Sequence, residues 1–249
     1  MTRDSAFDAV RGYLLQKPFL FNTVRVLHQT CQSCAGVLDD AAWVRCRECD
    51  EYARTSATAD VVGSMVYGIK NAQSGYIMHG YKRPTPSIEH HRVVSSLIRL
   101  GIYEHKRCAD RIVGIEAKRW ATVPSTQGRT NHPFRTILHE LGLNNAELVV
   151  FPSPTVTSTR DIAPENYVLG GPVPERGHVM VLDDTWTSGG HAQSLSVALK
   201  RAGVGAVSIL TVARWLNPAW GRGQEVVSNH ITNRTYDPSL CPWTGGPCP

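Results

Sequence analysis

Two adjacent carboxylates, Asp183 and Asp184, follow an apolar run and precede a turn rich in hydroxyl groups and glycine. The apolar run, 179–182, is predicted to be a buried strand, so both carboxylates lie at its carboxyl end, where α/β sheets place their ligands. The five residues that lead from there into a predicted helix are Thr185, Trp186, Thr187, Ser188 and Gly189. Backbone N–H groups in such a turn, together with the helix dipole and the hydroxyls, form a cradle for a phosphate.

This combination indicates the chemistry of a ligand. Two carboxylates beside a phosphate cradle suit a phosphate close to a vicinal diol, because the carboxylates accept hydrogen bonds from two ribose hydroxyls. No Lys follows the glycines, so the segment is not the GxxxxGK[ST] nucleotide loop, and the dinucleotide fingerprint GxGxxG is absent. The structural alternative is an acidic loop that only caps a helix.

The elements that must position this segment are short strands that alternate with helices from residue 119 onwards. Strands are predicted at 121–123, 147–151, 179–182 and 206–213, and helices at 134–141 and 193–202. Upstream, a buried strand is predicted at 59–69 and a helix at 87–100, with Ser87 as its N-cap. Strands separated by helices pair in parallel, so we expect an α/β protein with a mainly parallel sheet flanked by helices.

Four of the seven cysteines form two pairs, Cys31-x2-Cys34 and Cys46-x2-Cys49. Each CxxC turn presents two sulfurs, and zinc prefers four thiolates in a tetrahedron, so the pairs predict a closed structural zinc ribbon at about 28–52. Unrelated thiols and a redox CxxC are the alternatives, although neither pair opens a helix after a clear strand. A closed site has no open coordination position and therefore no chemistry of its own.

The segment 179–189 resembles the motif with which type I phosphoribosyltransferases bind 5-phosphoribosyl 1-pyrophosphate (PRPP): apolar residues, two acids, two free positions, two hydroxyl residues and Gly. With the cysteine pairs, the Tyr81-Lys82 pair and the strand and loop at 121–129, the chain resembles the ComF-like family. The resemblance implies an N-terminal helix and zinc ribbon at 1–55. It also implies a phosphoribosyltransferase-like domain at 56–249 with a Pro/Gly/Cys-rich tail.

The resemblance further implies an enzyme, a pentosyltransferase that transfers ribose 5-phosphate between PRPP, bound with Mg²⁺, and a nitrogenous acceptor. Asp183 and Asp184 would then be the catalytic pair, and residues 185–189 would hold the 5′-phosphate. The pyrophosphate loop would comprise Ser125, Thr126, Gln127, Gly128 and Arg129. Lys82 and Arg160 are candidate anion contacts, although exposed basic side chains on loops are usually only solvated.

A binding protein is the alternative reading of the same residues. It would sense PRPP or a nucleotide and engage nucleic acid, since ComF-like proteins are associated with DNA uptake. The acceptor and the oligomeric state, with a homodimer as one option, stay open. Cys241 and Cys248 bracket a tail segment whose spacing is no recognised knuckle, even with His230 as a partner, and Cys108 is most simply a small core residue.

Composition excludes several classes of protein. The 249 residues are 42% hydrophobic, enough for one large or two modest cores, which excludes a disordered tail. The net charge of +5 is compatible with anionic partners, and the protein has no continuous basic tract. Asp4 and Asp8 lie where an export signal would be apolar, and no run of about 18 apolar residues is present, so we expect a cytoplasmic protein without a membrane partner.

Overall fold

The computed structural model describes residues 3–55, 57–125, 132–155 and 161–249. The helices are α1 (Arg3–Leu15), α2 (Arg47–Arg54), α3 (Gln73–Gly80), α4 (Ile88–Val113), α5 (Pro133–Glu140), α6 (Gly190–Arg201) and α7 (Gly223–Val226). The strands are β1 (Val61–Ile69), β2 (Ala117–Thr122), β3 (Val150–Pro152), β4 (Tyr167–Leu169), β5 (His178–Trp186) and β6 (Ala206–Leu216). A π-helical turn, Val227–Ile231, continues α7.

Four strands form a parallel sheet in the order β1, β6, β5, β2. The central strands β5 and β6 are apolar and buried along most of their length, as expected for parallel strands that are covered on both faces. Helix α4 packs on one face, with α1 and α5 against the same core, and α6 packs on the other face. The prediction of a mainly parallel sheet flanked by helices is confirmed.

Helix α4 lies unusually close to the sheet because it carries Gly101 at the contact. A Cβ at this position would lie 2.8 Å from Leu210 Cδ2 of β6 and 2.8 Å from Met65 Sδ of β1. The predicted cap is confirmed, since the Ser87 side chain accepts a hydrogen bond from the His90 N–H, but the helix continues to Val113. The part of α4 beyond residue 100 carries His105 and Cys108.

The prediction that 147–151 forms a strand of the main sheet is wrong. Only one parallel bridge, between Glu147 and Trp120, joins this segment to β2, and the chain then pairs as β3 with β4 in a separate antiparallel sheet. Val150, Phe151 and Pro152 pair with Leu169, Val168 and Tyr167 rather than with β2. The main sheet therefore ends at β2 apart from this single bridge.

The cysteine-rich region differs from the expected ribbon. Residues 16–55 are all described and form no strand; pairing within the region is limited to the bridge between Thr30 and Val37. The second cysteine pair leads into α2 instead. Leu14 of α1 packs in the α4 core, and the four cysteines pack in the α6 core, so this region shares both cores with the sheet. A domain boundary near residue 55 stays a prediction.

No helix in the described part of the chain has both the length and the apolar character needed to cross a membrane.

Candidate active site

A cavity of about 640 Å³ opens where β2, β5 and β6 end. Its lining residues come from α3 and the residues after it, from the segment that leads from β2 into α5, from the ends of β5 and β6, and from the first turn of α6. They are Met78, His79, Lys82, Val123, Pro124, Ser125, His132, Pro133, Asp183, Asp184, Thr185, Thr187, His191 and Trp215. The carboxyl edge of a parallel sheet is the usual place for a ligand. The cavity thus brings Asp183, Asp184 and Lys82 to one wall.

Strand β5 does not end at Leu182 but continues through Trp186, because it stays paired with β6 as far as Arg214. Both carboxylates therefore belong to the strand rather than to a loop. Successive side chains of a strand alternate between its faces, so Asp184 leaves the sheet on the side of Leu182 and Asp183 on the opposite side. Both side chains nevertheless line the cavity, because it lies at the carboxyl edge of the sheet, where the two faces meet.

Asp184 is buried and held by two neighbours that follow α3. The Tyr81 hydroxyl donates a hydrogen bond to Asp184 Oδ2, and Lys82 Nζ lies 2.6 Å from the same oxygen. Burial alone would raise the pKa of Asp184, but the charge of Lys82 and the two hydrogen bonds hold it below its ordinary value. Asp184 is therefore ionised at neutral pH, and its partner charge is Lys82.

Asp183 is partly exposed to the cavity. The Asp184 N–H donates to Asp183 Oδ1 at 2.8 Å. Burial, and then the negative charge of Asp184, raise the pKa of Asp183 to about 8. At neutral pH the pair consequently carries about one negative charge, which Lys82 balances.

The raised pKa predicts that Asp183→Asn stabilises the protein at alkaline pH. Ionised Asp183 is disfavoured in the folded chain, so its contribution to stability falls as the pH rises from about 4 to 8 and is constant above. We expect the free energy of unfolding of the variant to exceed that of the wild type by about 2 kcal/mol at pH 8.5, allowing for partial exposure. Urea unfolding across this pH range measures the difference. An equal difference at pH 4 and pH 8.5 would contradict the assignment. Asp40→Asn, at an exposed carboxylate outside the cavity, is the control.

The predicted phosphate cradle has a fixed backbone shape. Gly189 is the N-cap of α6 and has a left-handed backbone, with φ of 90°. Its Cα lies directly over the buried ring of Trp186, since an added Cβ would come within 2.1 Å of Trp186 Cζ2. Trp186 is 1% exposed, so its ring supports the turn from behind and does not line the cavity. Thr185 Oγ1 is buried and has no hydrogen-bond partner among the described residues.

This close approach predicts a loss of stability for Gly189→Ala. A left-handed backbone at a non-glycine residue costs about 1 kcal/mol, and the contact with the indole adds about 2 kcal/mol of overpacking. We expect the free energy of unfolding to fall by about 3 kcal/mol in chemical denaturation. Gly171→Ala is the matched control, because a Cβ there meets no atom within 4 Å. Equal stability of the two variants would refute the explanation.

A buried arginine supports the cradle from the side away from the cavity. Arg214 Nη1 donates to the carbonyls of Trp186 at 3.1 Å and Thr187 at 2.9 Å, and also to that of Trp215 at 2.7 Å. The other end of the guanidinium meets the first cysteine turn, where a Cβ on Gly36 would lie 2.1 Å from Arg214 Nη2. Arg214 therefore connects the cysteine region with the cradle.

The four predicted metal ligands come together as expected. Cys31, Cys34, Cys46 and Cys49 have all their sulfurs within 4.8 Å of one another. The Cys34 and Cys46 sulfurs are 3.8 Å apart, which is about the edge of a tetrahedron with Zn–S bonds of about 2.3 Å. Hydrogen bonds from the neighbouring thiols, and the charge of Arg214, lower the pKa of Cys34 well below its ordinary value. Arg214 forms no salt bridge with a described carboxylate, so an anionic thiolate cluster is its counter-charge. This donor set fits zinc.

Other predicted site residues are placed as follows. Ser125 lies on the cavity wall, whereas Thr126, Gln127, Gly128, Arg129 and Arg160 lie outside the described residues. Thr187 lines the cavity, and Ser188 lines a neighbouring one of about 570 Å³ beside Cys46 and Trp220. The described residues that line the 640 Å³ cavity include none from the tail.

Three histidines lie on the cavity wall, and sequence reasoning missed two of them, His79 and His132. The sequence favours a capping or surface role for the third, His191. His132 caps α5 by accepting from the Arg135 N–H at 3.4 Å, and His79 packs edge-on against Trp215 with ring centroids 5.1 Å apart. His191 Nδ1 lies 2.9 Å from the Tyr167 hydroxyl, and burial lowers its pKa, so it is neutral at pH 7. Only His132 carried a local signal, because it precedes a Pro at the start of a helix.

No family model matches the sequence, and no curated protein matches it. Among solved structures, the chain is similar to an adenine phosphoribosyltransferase from Leishmania tarentolae, with 18% sequence identity and a TM-score of 0.33. The match covers 64% of this chain and 69% of that chain. Membership of the ComF-like family stays a prediction.

Proposed function

We propose that this chain is a phosphoribosyltransferase that binds PRPP with Mg²⁺ and transfers ribose 5-phosphate to or from a nitrogenous acceptor. One observation carries the proposal: Asp183 and Asp184 share a cavity wall with the hydroxyl-rich turn that opens α6. This arrangement offers two acceptors for ribose hydroxyls beside N–H and O–H donors for a phosphate.

Each carboxylate has a distinct part in the proposed reaction. Asp184, which is ionised and oriented by Tyr81 and Lys82, accepts a hydrogen bond from one ribose hydroxyl. Asp183 accepts a hydrogen bond from the other ribose hydroxyl. When the bond between C1 and pyrophosphate breaks, the leaving group keeps the electron pair and the ribose ring becomes positively charged. The nearby carboxylates stabilise that charge before the acceptor nitrogen bonds to C1.

Hydrogen-bond donors face both phosphate groups of PRPP, the 5′-phosphate and the pyrophosphate. Thr185 Oγ1 has no partner among the described residues, and it lies at the start of the cradle that would hold the 5′-phosphate. Ser125 follows β2 on the same cavity wall and begins the loop proposed to hold the pyrophosphate. Mg²⁺, when bound with PRPP, neutralises pyrophosphate charge.

Calorimetric titration of PRPP with Mg²⁺ into the zinc-loaded protein tests the site. We expect micromolar binding in the wild type and a loss of at least about 100-fold in the double variant Asp183→Asn, Asp184→Asn, since each charged hydrogen bond contributes about 1.5–3 kcal/mol. Asp40→Asn should bind as the wild type does. Failure of the folded wild type to bind PRPP would overturn the proposal.

A second candidate is a non-catalytic binding protein that engages nucleic acid. The observation in its favour is an exposed patch at the second cysteine pair, where Trp43 is 41% exposed beside Arg45, Arg47 and Arg54. Against it, Arg47 and Arg54 already contact carboxylates of α2. Pyrophosphate release with a panel of bases and amines supports the enzyme. PRPP binding without release, together with steeply salt-dependent DNA binding, supports the second candidate.

A further inference from the structure

A second group of metal-binding side chains lies away from the cavity. His105, Cys108, Cys241 and Cys248 each place a ligand atom within 4.8 Å of the other three. We propose that these residues form a second structural zinc site, with three sulfurs and one nitrogen, that fastens the C-terminal tail to α4. Three cysteines and one histidine form one of the common closed zinc sites of proteins.

Helix α4 supplies two of the ligands from one face. His105 and Cys108 are three residues apart, a spacing that places side chains side by side on a helix. Both are buried. Helix α4 therefore holds these two ligands in place independently of the tail.

The tail supplies the other two from a tight turn. The Cys241 N–H donates to the Gly246 carbonyl at 2.8 Å, and the Gly245 N–H donates to the Cys241 carbonyl at 2.8 Å. Gly245 has a left-handed backbone, with φ of 71°, which closes the turn and returns Cys248 towards Cys241.

The histidine is oriented as a zinc ligand should be. His105 Nδ1 lies 3.4 Å from Cys248 Sγ, and Nε2 lies 3.5 Å from the Pro238 carbonyl. Metal-bound histidines commonly donate their second ring N–H to a backbone carbonyl, which fixes the tautomer and the ring plane. Nδ1 is therefore the ligand atom, and the Trp243 indole N–H, which donates to the His105 carbonyl at 2.9 Å, holds the tail against the same helical turn.

The two clusters account for every cysteine of the chain. Four of the seven belong to the first cluster and three to the second, where a histidine completes the set. The histidine of the cluster is His105, from α4, and not His230. Cys108 is buried, as expected for a core residue, but its sulfur also faces these partners.

Arg25 connects the two clusters. Its guanidinium donates to the carbonyls of Gln32 and Ser33, in the first cysteine turn, and to that of Pro242 beside Cys241. It also donates to the Val62 carbonyl of β1 at 2.9 Å. The tail passes so close to β1 that a Cβ on Gly63 would lie 2.8 Å from the Trp243 ring. A metal in the second site would thus order a tail that forms no helix or strand of its own after residue 231.

Metal analysis of the full chain, purified with zinc and a reductant, tests the proposal. We expect two zinc ions per chain in the wild type, and X-ray absorption should give seven sulfur ligands and one nitrogen ligand over the two ions. The double variant Cys241→Ser, Cys248→Ser should keep one ion with sulfur ligands only. His230→Ala, which changes a histidine outside the cluster, should keep both ions.

Two results would overturn the proposal. One is a single zinc ion per chain in the folded wild type, with or without a disulfide between Cys241 and Cys248, and the other is an all-sulfur spectrum. Because the spectrum and the stoichiometry of the wild type decide these cases, poor folding of a variant does not affect the test. None of these outcomes depends on PRPP binding.

Discussion

Cys34→Ser is expected to lose one zinc ion and to lower the free energy of unfolding by at least about 5 kcal/mol, because zinc binding is part of folding at such sites. Cys34 is 2% exposed, its sulfur lies 3.8 Å from that of Cys46, and the charge of Arg214 helps to lower its pKa. A serine there would leave the site with three thiolates and the guanidinium without its nearest counter-charge. Metal analysis and urea unfolding of the purified variant measure both effects.

Ser33→Ala is the matched control for Cys34→Ser, since it changes the neighbouring residue in the same turn and leaves every ligand in place. It should keep its zinc and its stability. The loss expected for Cys34→Ser, at least about 5 kcal/mol, approaches the whole stability of a typical domain. Hydrogen exchange over residues 31–54 then shows whether the cysteine region alone opens. A Cys34→Ser chain with unchanged zinc content would disprove a four-thiolate site.

Arg214→Met should lower the free energy of unfolding by about 4 kcal/mol, because removal of one partner leaves a buried charge uncompensated. Three carbonyls, those of Trp186, Thr187 and Trp215, would also lose their shared donor. Two of them belong to the cradle, so PRPP affinity should fall with stability. Thermal unfolding and calorimetric titration measure the two consequences.

The variant Arg214→Lys distinguishes the effect of the positive charge from that of the hydrogen-bond geometry. A lysine keeps the positive charge near the thiolates but cannot reach the carbonyls and the cysteine turn at once, since it lacks the planar fork of arginine. We expect this variant to keep its zinc and to bind PRPP about 10-fold more weakly, the effect of one lost hydrogen bond to a positioned carbonyl. The exposed Arg234→Met is the control. Unchanged PRPP affinity in Arg214→Lys would show that Arg214 does not position the cradle.

The local patterns of the sequence predicted the parts of the fold that depend on neighbouring residues. The apolar runs at 179–182 and 206–213 predicted the two central strands, and Ser87 predicted the start of α4. The strand at 147–151 was assigned to the wrong sheet, because an apolar run does not specify which strand it pairs with, and its end pairs with β4. Helix α3 was missed because its short sequence, QSGYIMHG, contains two glycines and lacks a clear apolar period.

The sequence by itself determined which residues could do chemistry: two acids before a hydroxyl-rich turn, and two CxxC pairs. These motifs are contiguous, so the residue types and spacing are complete in the printed chain. Only the tertiary structure decided that Lys82 neutralises Asp184, that Arg214 lies between the thiolates and the cradle, and that His105 meets Cys248. These contacts join residues far apart along the chain, and no periodicity records them, because they depend on how the helices and the tail pack on the sheet.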